Sequence, residues 1–586
     1  MQQWMVINKG ADFKGIGNKF HIDPVTARII RNREVIGDEE IQSFLAGTLQ
    51  ELPDVHLMQD LDLLVEVLDE KIKEKAKIRI IGDYDIDGVM SSYLLYRALT
   101  RCGAKVDVAI PNRITDGYGL NRNLITEAFE SGVDTILTCD NGIAAIEEIA
   151  YAKEMGMTVL VTDHHEIPFK DVDGERIYMC SEADAIVNPH QKTCAFPYKD
   201  LCGAGVAWAV IVALYEKNGI EQKEAEDLLE FVAFATVGDI MSLTGLNRIL
   251  VREGLKRIHH TTNIGMRALI SQCGLLPEQI DTYHFGFVLG PCINAAGRLD
   301  TARRALRLFI SESPEEAAEV ADELVILNEE RKEMTRQGVE EAKQLVEEGG
   351  YENDPVLILY LPNVHESIAG IIAGRIREYY YRPTFILTKG EDGVKGSGRS
   401  TEEYSMYEQM CKCSDLLTKF GGHPMAAGLS LPEENVEAFR KQMNENCPFR
   451  AEEMVQTIHI DVPMPVDYVT NALVEEFSIL APFGKDNPKP VFADRNLKIS
   501  RMWIVGKNQN VLRMTLISEQ GRPLSAIYFG DIEAMQTYLM EQYGTQEVDK
   551  AFHGRENNMQ ISIVYSPKLN TYRDSETLQF EIQYYR

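Results

Sequence analysis

The stretch Ile80-Ile81-Gly82-Asp83-Tyr84-Asp85-Ile86-Asp87-Gly88 places three carboxylates within five residues, directly after a short apolar run. Such a run is typical of a buried strand in a parallel sheet. Carboxylates that follow a buried strand lie at the carboxyl edge of an open α/β sheet, where these folds build their sites. This stretch therefore predicts the fold class and the position of a site.

Further apolar runs also end in carboxylates or imidazoles. These are Thr135–Cys139 before Asp140-Asn141-Gly142, Met157–Val161 before Asp163-His164-His165, and Phe231–Gly238 before Asp239. Taken alone, the cluster of Asp83, Asp85 and Asp87 could instead be a solvated acidic turn without a functional role. Four clusters at the ends of apolar runs instead favour one shared site. Because buried carboxylates with no cation between them repel each other, the pattern predicts a metal centre.

The predicted ligands are carboxylates and imidazoles without a thiolate, which favours Mn²⁺ or Mg²⁺ over structural zinc. Such ions activate water and neutralise charge on a phosphoryl group, so the expected reaction is hydrolysis of a phosphate ester or anhydride. A calcium-binding EF-hand loop is excluded because its twelfth position, counted from Asp83, is Leu94 instead of a bidentate glutamate. The sequence has no GxxxxGK[ST] motif, so nucleotide-driven motion is not indicated.

The pattern along the chain predicts several domains. Apolar strands near 77–82, 105–110, 134–139, 157–162 and 184–188 alternate with helix-length segments, which indicates a parallel sheet. Residues 201–345 are predicted to be mainly helical and to end in one long helix. A second α/β region follows to about residue 450, and the last 130 residues have the short alternating runs of a small β-barrel or sandwich. We predict an N-terminal extension (1–76), a parallel-sheet domain (77–313), a connecting helix (314–346), a smaller α/β domain (347–452) and a C-terminal β-rich domain (453–586).

Bulk composition is ordinary for a globular protein, with 45% hydrophobic and 26% charged residues in 586. The net charge of −30 argues against a general polyanion binder, although residues 485–522 carry eight Lys or Arg against three acids. The N-terminus lacks a signal-peptide pattern, and no apolar stretch is long enough to span a bilayer, so we expect no membrane association. The ten cysteines form no CxxC pair, which favours a reducing cytoplasm.

Asp163-His164-His165, with Gly82–Gly88 upstream, resembles the DHH phosphoesterase superfamily. The order of further motifs resembles the RecJ exonuclease family within it. These motifs are Pro111-Asn112-Arg113 with Asp116–Leu120, Thr138–Gly142, Ala235–Asp239 and Asn294–Leu299. In the second lobe, His365, Gly370, Arg375, Ser397–Ser400, Gly421–His423 and Ala426–Gly428 resemble a DHHA1 domain. Ala481–Gly484 and Asn487–Phe492 resemble the start of a RecJ OB domain.

The resemblance implies a 5′→3′ exonuclease, specific for single-stranded DNA, that works with Mn²⁺ or Mg²⁺ in DNA repair and recombination. Asp87, Asp140, His164 and Asp239 would be the primary metal ligands. Asp85 and Asp83 would complete a second metal site or position water, and His165 would contact the scissile phosphate or support a ligand.

The resemblance also implies a set of substrate-binding residues, namely Arg113, Arg298, His365, Arg375, Ser397, Arg399, Ser400, Gly422 and His423. Single-stranded DNA would be the substrate, a single-strand-binding protein or a helicase would be a partner, and a monomer would suffice. Two positions depart from the family pattern: Cys292 stands where an arginine is common, and Ser367 where a glycine is usual. Both positions are expected to touch the DNA.

Two other functions remain open at this point. One is a phosphodiesterase for short oligoribonucleotides or cyclic dinucleotides, although such relatives usually lack a C-terminal OB domain. Ile81 also stands where superfamily members acting on small substrates often have a histidine, which disfavours a pyrophosphatase. The other is a non-catalytic replisome scaffold, although scaffold relatives lose metal ligands and every expected ligand is present here.

Overall fold

The computed structural model describes residues 2–113, 116–172, 175–390, 393–506, 508–572 and 575–586, without the side chains of residues 171, 172, 175, 571, 572 and 575. Lys507, one of the cations of the 485–522 segment, lies outside the described residues. The chain divides into two compact units. The first unit contains Leu52–Met241 and Ile249–Gln456, and the second contains Gln2–Glu51, Ser242–Arg248 and Thr457–Arg586.

The N-terminal segment of the second unit has one strand and three helices, β1 (Gln2–Val6), α1 (Phe13–Phe20), α2 (Pro24–Asn32) and α3 (Asp38–Ala46). The first unit begins with α4 (Leu61–Lys73) and then alternates between strands and helices. These elements are β2 (Lys77–Ile81), α5 (Ile86–Arg101), β3 (Lys105–Ala109), α6 (Arg122–Glu130), β4 (Thr135–Cys139), α7 (Ile146–Glu154) and β5 (Thr158–Thr162). A hairpin of β6 (Phe169–Val172) and β7 (Glu175–Tyr178) precedes β8 (Ala185–Val187).

Five of these strands form a parallel sheet in the order β3-β2-β4-β5-β8. The predicted parallel sheet is confirmed. After β2 the chain forms β3 on one side of β2 and then β4 on the other side. The carboxyl ends of β2 and β4 therefore flank a topological switch point, where open α/β sheets bind their ligands.

A helical region follows the sheet. It contains α8 (Gly203–Lys217), α9 (Gln222–Glu226), α10 (Leu229–Gly238), α11 (Gly245–Ile258), α12 (Ile264–Gln272), the single turn α13 (Thr282–His284), α14 (Gly290–Leu299), α15 (Ala302–Ile310) and α16 (Pro314–Glu348), with a π-helix at Phe285–Leu289. The long helix α16 begins with a Ser313 cap and Pro314 in its first turn. None of the helices in the described ranges is both long and apolar enough to cross a membrane.

The apolar run before Asp239 differs from those before Asp140 and Asp163. It forms helix α10, as the predicted helical character of residues 201–345 implies, so the expectation that all four clusters lie at strand ends is wrong for Asp239. Eight of the ten residues of α10 are buried, so the helix is apolar on nearly all sides and its sequence carries no helical period. Periodicity cannot distinguish a fully buried helix from a buried strand.

The second lobe of the first unit contains β9 (Leu357–Tyr360), α17 (Glu366–Tyr380), β10 (Thr384–Gly390), β11 (Gly393–Arg399), α18 (Met406–Cys411), β12 (Lys419–His423), β13 (Ala426–Leu431) and α19 (Val436–Glu445). Its sheet has the order β12-β13-β11-β10-β9, in which only the β9–β10 pair is parallel. Burial alternates along β11, so Lys395, Ser397 and Arg399 share one face of the sheet.

The second unit contains β14 (Gln456–Ile460), α20 (Asn471–Glu476), β15 (Phe492–Val505), β16 (Val511–Ile517), β17 (Pro523–Tyr528), α21 (Ile532–Tyr543), α22 (Thr545–Phe552), β18 (Gln560–Tyr572) and β19 (Ser575–Tyr585). Strand β14 pairs with β1, and the last five strands form a closed barrel in the order β15-β16-β17-β19-β18. The predicted fold class is confirmed: a parallel-sheet domain, a long helix, a smaller α/β domain and a C-terminal barrel.

The buried guanidinium of Arg248 ties three stretches of the second unit together. It donates hydrogen bonds to the carbonyl oxygens of Phe44, Leu480 and Ile479 at 2.8, 2.8 and 3.0 Å, and it stacks on the Phe44 ring at 3.8 Å. Because an arginine with unmade hydrogen bonds is costly to bury, these contacts fix segment 242–248 within the second unit.

Candidate metal centre and substrate cavity

The acidic loop after β2 turns directly into helix α5. Asp83 lies in the loop, Asp85 caps the helix by accepting hydrogen bonds from the amides of Asp87 and Gly88 at 3.0 and 3.1 Å, and Asp87 lies in the first turn. Gly88 is required here, since a Cβ on it would lie 2.5 Å from the Asp83 backbone. The loop can therefore place three carboxylates side by side at the switch point.

Asp87 is fixed from the other side by the N-terminus of α8. Its carboxylate accepts hydrogen bonds from the amides of Gly203 and Ala204 at 2.6 and 2.8 Å. The positive end of a helix favours a carboxylate in this position. The N-terminus of α8 therefore holds Asp87 in one orientation.

Asp140 follows β4 in a left-handed conformation with φ of 61°. Aspartate tolerates this conformation better than most residues. A Cβ on Gly203 would lie 2.7 Å from the Asp140 Cβ, so the close approach of α8 to β4 depends on this glycine. Its neighbour Asn141 donates to the carbonyl oxygens of Ile81 and Cys139 at 3.0 and 2.9 Å, which ties the ends of β2 and β4 together.

Asp163 organises the loop after β5. Its buried carboxylate accepts hydrogen bonds from the amides of Ile143, His164 and His165 and from His165 Nδ1, at 2.9, 2.7, 3.1 and 2.7 Å. Burial acts to raise the pKa of Asp163, but the hydrogen bond from His165 and the other contacts outweigh it and hold the pKa below its usual range. Asp163 therefore orients the two histidines that follow it.

The histidine rings have different surroundings. His164 Nε2 lies 3.1 Å from Asp140 Oδ1, 3.6 Å from Asp87 Oδ2 and 3.7 Å from Asp239 Oδ2. Burial lowers the pKa of His164, which favours the neutral ring that binds metals. Burial also opposes charge on His165, but its hydrogen bond to Asp163 raises the pKa of His165 to about 9.

Asp239 reaches the same point from α10. A Cβ on Gly238 would lie 2.6 Å from the Ile86 side chain, so this glycine lets the end of α10 pack against the start of α5. Ligand atoms from Asp87, His164 and Asp239 lie within 4.8 Å of one another. The same holds for the sets Asp83, Asp85 and Asp140, and Asp140, His164 and His165. All six predicted metal residues are therefore in one cluster.

Two carboxylate oxygens of this cluster have no hydrogen-bond partner among the residues that the structure describes. Asp83 Oδ1 and Asp140 Oδ1 are buried and accept no hydrogen bond from the described residues, although His164 Nε2 lies close to the latter. Burial, followed by the charge of Asp85, raises the pKa of Asp83 to about 8. Burial and the neighbouring carboxylates raise the pKa values of Asp85 and Asp140 as well. Oxygen and nitrogen donors in this unfavourable state fit a divalent cation such as Mn²⁺ or Mg²⁺.

Tyr118 joins the metal cluster to a cavity between the two lobes of the first unit. Its hydroxyl donates to the Asp140 carbonyl oxygen at 3.1 Å and lies 3.2 Å from His165 Nε2. The cavity has a volume of about 440 Å³ and is lined from one lobe by Tyr84, Arg113 and Tyr118. From the other lobe it is lined by residues that include Ser367, Lys395, Ser397, Lys419 and Phe420.

Three guanidinium groups lie near this cavity with few compensating acids. Arg113 lies over the Tyr84 ring at 5.0 Å. Arg298 donates to the Ser367 carbonyl oxygen at 2.7 Å, and Arg399 donates to the Gly398 carbonyl oxygen at 2.8 Å. Burial, followed by the positive charges of Arg113 and other arginines, lowers the pKa of Arg298 to about 10 and also lowers that of Arg399. A phosphate group would neutralise this excess of positive charge.

The remaining predicted substrate residues lie in different places. His365 caps α17 and contacts Ser367 Oγ at 2.7 Å. Arg375 is exposed on α17 and lines a separate groove beside α16. Ser400 is buried and donates to the Tyr404 carbonyl oxygen at 2.6 Å. Gly422 and His423 lie exposed on β12, and neither lines the cavity.

The two departures from the family pattern also differ in position. Ser367 lines the cavity. Cys292 is only 1% exposed and contacts the Val288 carbonyl oxygen and Asn328 of α16, so it does not face the cavity. The expectation that Cys292 touches DNA is therefore wrong.

The predicted site residues did not include Tyr118, Lys395 or Lys419, and Asp163 had no assigned role, although Tyr118 and Asp163 both lie in motifs that resemble the family. Lys395 could have been found, because it alternates with Ser397 and Arg399 along one strand. Tyr118 lies in a loop, where no periodicity marks the side chains that face a site.

Comparisons with known proteins agree with this arrangement. Residues 77–236 match the DHH family, N-terminal domain, residues 353–447 match the DHHA1 domain, and residues 460–584 match the RecJ OB domain. The single-stranded-DNA-specific exonuclease RecJ of Haemophilus influenzae is 32% identical over 97% of each chain. The Bacillus subtilis protein of the same name is 33% identical over 87% of this chain, which spans 63% of that longer relative.

Solved structures give the same result. The crystal structure of RecJ in complex with Mn²⁺ from Thermus thermophilus has a TM-score of 0.81 at 25% identity, covering 100% of this chain and 79% of that one. The structure of an exonuclease RecJ bound to manganese has a TM-score of 0.57 at 31% identity, covering 68% of this chain and 95% of that one.

Proposed function

This chain belongs to the RecJ family of single-stranded-DNA-specific exonucleases, and from that premise we propose that it degrades single-stranded DNA from the 5′ end at the aspartate–histidine cluster. The enzyme hydrolyses phosphodiester bonds with Mn²⁺ or Mg²⁺ as its cofactor. The observation that carries the proposed site is the set of buried carboxylate oxygens without hydrogen-bond partners, which lies beside a cavity with excess positive charge.

Asp87, Asp140, His164 and Asp239 would hold one metal ion, and Asp83 and Asp85 would hold or orient a second. When bound, such ions lower the pKa of a water molecule and neutralise charge on the scissile phosphate. The protein keeps the ligands in place before substrate arrives, because the α8 amides fix Asp87 and the Asp163 carboxylate fixes both histidines.

The cavity would position the DNA backbone. Arg113, Arg298 and Arg399 would bind phosphates, while Lys395 and Ser397 would contact them from the second lobe. His165 is half-exposed at the boundary between the metal cluster and this cavity, and we assign it to the scissile phosphate. Tyr84 and Phe420 offer ring faces for the terminal bases.

The 5′→3′ polarity and a role in DNA repair and recombination rest on family membership. We further propose that the protein acts in the cytoplasm as a monomer and that a single-strand-binding protein or a helicase supplies its substrate. The C-terminal barrel would bind the incoming strand, as the match to an OB domain suggests.

The test is digestion of a long single-stranded DNA labelled separately at each end, with Mn²⁺, alongside a matched RNA and a blunt duplex. We expect early release of the 5′ label from single-stranded DNA and little release from the other substrates. Release of the 3′ label first would overturn the polarity. Rapid cleavage of short RNA would instead favour an oligoribonucleotide phosphodiesterase.

A further inference from the structure

A second cavity lies at the far ends of two helices that carry metal residues. Helix α5 begins at the Asp85–Asp87 cluster, and its last three turns line this cavity; α10 begins in the cavity and ends before Asp239. The cavity has a volume of about 580 Å³, within the usual range for small-molecule sites. None of the metal residues lines it, so it is separate from the nuclease centre.

The most unusual group in this cavity is Glu230. Its side chain lines the cavity but the residue is only 5% exposed. Oε1 accepts a hydrogen bond from Thr261 Oγ1 at 2.9 Å, whereas the buried Oε2 has no hydrogen-bond partner among the residues that the structure describes. Burial raises the pKa of Glu230 to about 7. Oε2 of this buried carboxyl group therefore lacks a hydrogen-bond donor within the described ranges, and a bound ligand could supply one.

Aromatic rings surround this carboxyl group. The ring of Tyr93 lies 4.7 Å from Phe231 and 5.9 Å from Phe309, and all three residues line the cavity together with Tyr96 and Tyr215. Asn263 holds the Tyr93 hydroxyl at 2.8 Å and the Phe309 carbonyl oxygen at 3.1 Å, so the lining is fixed by hydrogen bonds. The faces of such rings carry partial negative charge and attract cations.

The charges of the lining favour the same kind of ligand. Four carboxyl groups line the cavity, those of Glu224, Asp227, Glu230 and Glu312, against two guanidinium groups, those of Arg97 and Arg101. Arg101 is already paired with Glu224 through contacts of 2.7 and 2.8 Å. Beyond this pair, three carboxyl groups remain against the single guanidinium of Arg97, so the lining has an excess of acidic groups and an anionic ligand such as a nucleotide would be disfavoured.

We propose that this cavity binds a small organic cation. Its ammonium or guanidinium group donates a hydrogen bond to Glu230 Oε2 and lies against the ring faces of Tyr93 and Phe231, while its alkyl chain extends toward the cavity mouth at Asp227 and Thr262. Diamines and polyamines with terminal ammonium or guanidinium groups have this chemistry and fit the volume.

The experiment is isothermal titration of the full-length protein with agmatine and, separately, with spermidine, at 150 mM salt to suppress weak surface attraction. We expect saturable binding of one ligand per chain. Glu230→Gln removes the charge at nearly constant shape, and we expect at least a tenfold loss of affinity. Thr262→Arg adds a cation at the exposed mouth without disturbing the buried lining, and we expect a similar loss.

The matched control is Glu221→Gln, because Glu221 is an exposed acid at the start of α9 that does not line the cavity. It should bind both cations like the unmodified protein. Non-saturating binding at many sites, or affinities of Glu230→Gln and Thr262→Arg equal to that of the unmodified protein, would show attraction to the acidic surface only and would overturn the proposal. Nuclease activity is not part of this readout, so the result is independent of the proposed function.

Discussion

His164 Nε2 lies 3.1 Å from Asp140 Oδ1, although the two residues end different strands and are 24 positions apart in the chain. Despite this closeness, the oxygen accepts no hydrogen bond from the part of the chain that the structure describes. A histidine ring nitrogen and a buried carboxylate oxygen this close fit two ligands of one cation, which is the role that we propose for this pair.

Replacing Asp140 tests this arrangement. Asp140→Asn keeps the shape and the left-handed conformation but removes the charge that a cation needs. We expect nuclease activity to fall by at least about a hundredfold, since even outer partners of metal ligands alter affinity or activity by 10–100-fold. Binding of single-stranded DNA should be retained. The control Asp322→Ala changes an exposed aspartate of α16, and its activity should be unchanged. An active Asp140→Asn variant would refute the metal assignment.

Gly203→Ala tests the role of α8. The new Cβ would lie 2.7 Å from the Asp140 Cβ, and the Gly203 amide is also a donor to Asp87. The helix must shift by a few tenths of an ångström or more, which separates the ligands. We expect weaker stabilisation of the protein by Mn²⁺ in thermal unfolding. In the control Gly205→Ala, the new Cβ meets only the Leu201 side chain at 3.3 Å, and Mn²⁺ stabilisation should persist.

Asp163→Asn should damage both stability and catalysis. The carboxylate accepts four hydrogen bonds, and an amide group would turn a donor toward one of these N–H groups. Leaving buried donors unsatisfied costs roughly 1–3 kcal/mol in the free energy of unfolding. Both histidines would also lose their fixed orientation. Denaturant unfolding and kcat measured on one sample check this prediction; a variant with unchanged kcat would show that Asp163 does not orient the site.

Arg399→Ala should weaken DNA binding without altering the metal centre. One lost phosphate contact lowers the slope of log affinity against log salt by about 0.7 for a single strand. Fluorescence anisotropy at several salt concentrations, in an Asp140→Asn background that prevents cleavage, measures both the affinity and the slope. Arg336→Ala is the matched control, because Arg336 is exposed on α16 and paired with Glu333. Equal slopes for both variants would remove Arg399 from the phosphate contacts.

The stability of the protein should depend on pH through Glu230. Burial raises the pKa of Glu230 to about 7, so the folded state binds its proton more tightly than the unfolded state, whose ordinary value is 4.5. The contribution of Glu230 to the free energy of unfolding is fully present below about pH 4.5, where the group is protonated in both states. It is lost as pH rises toward 7, by roughly 3 kcal/mol at most. Without added cations, Glu230→Gln should therefore gain thermal stability relative to the unmodified protein between pH 5 and pH 8. A constant difference in the unfolding midpoint across this range would contradict the prediction.

The strands of the parallel sheet could be predicted because each is a short apolar run that ends in turn or polar residues, as at Ile80–Asp83. The helix before Asp239 could not be assigned in the same way, since its residues are buried on nearly all sides. Asp239 nevertheless lies beside His164 and Asp87, because its position after an apolar run depends on burial and not on the type of element.

The placement of the substrate residues shows the limit of motifs. Ser397 and Ser400 are three positions apart in one motif, but the first lines the cavity and the second is buried and donates to the Tyr404 carbonyl oxygen. Ser397 shares the face of β11 that carries Lys395 and Arg399, whereas Ser400 follows the last residue of the strand. Arg375 and Arg399 belong to the same lobe, yet Arg375 faces a different groove.

The sequence by itself determined the alternating α/β pattern, the C-terminal β-rich region and the acidic and histidine clusters that we propose as metal ligands, because local patterns of burial and charge encode all three. Tertiary structure decided which side chains meet. Tyr118 contacts His165, and an amide at the start of α8 donates to Asp87, although the residues of each pair are far apart in the chain. The residues that line the cavity around Glu230 also come from several distant segments. Such contacts depend on the packing of whole elements, which leaves no periodic signal in any one segment.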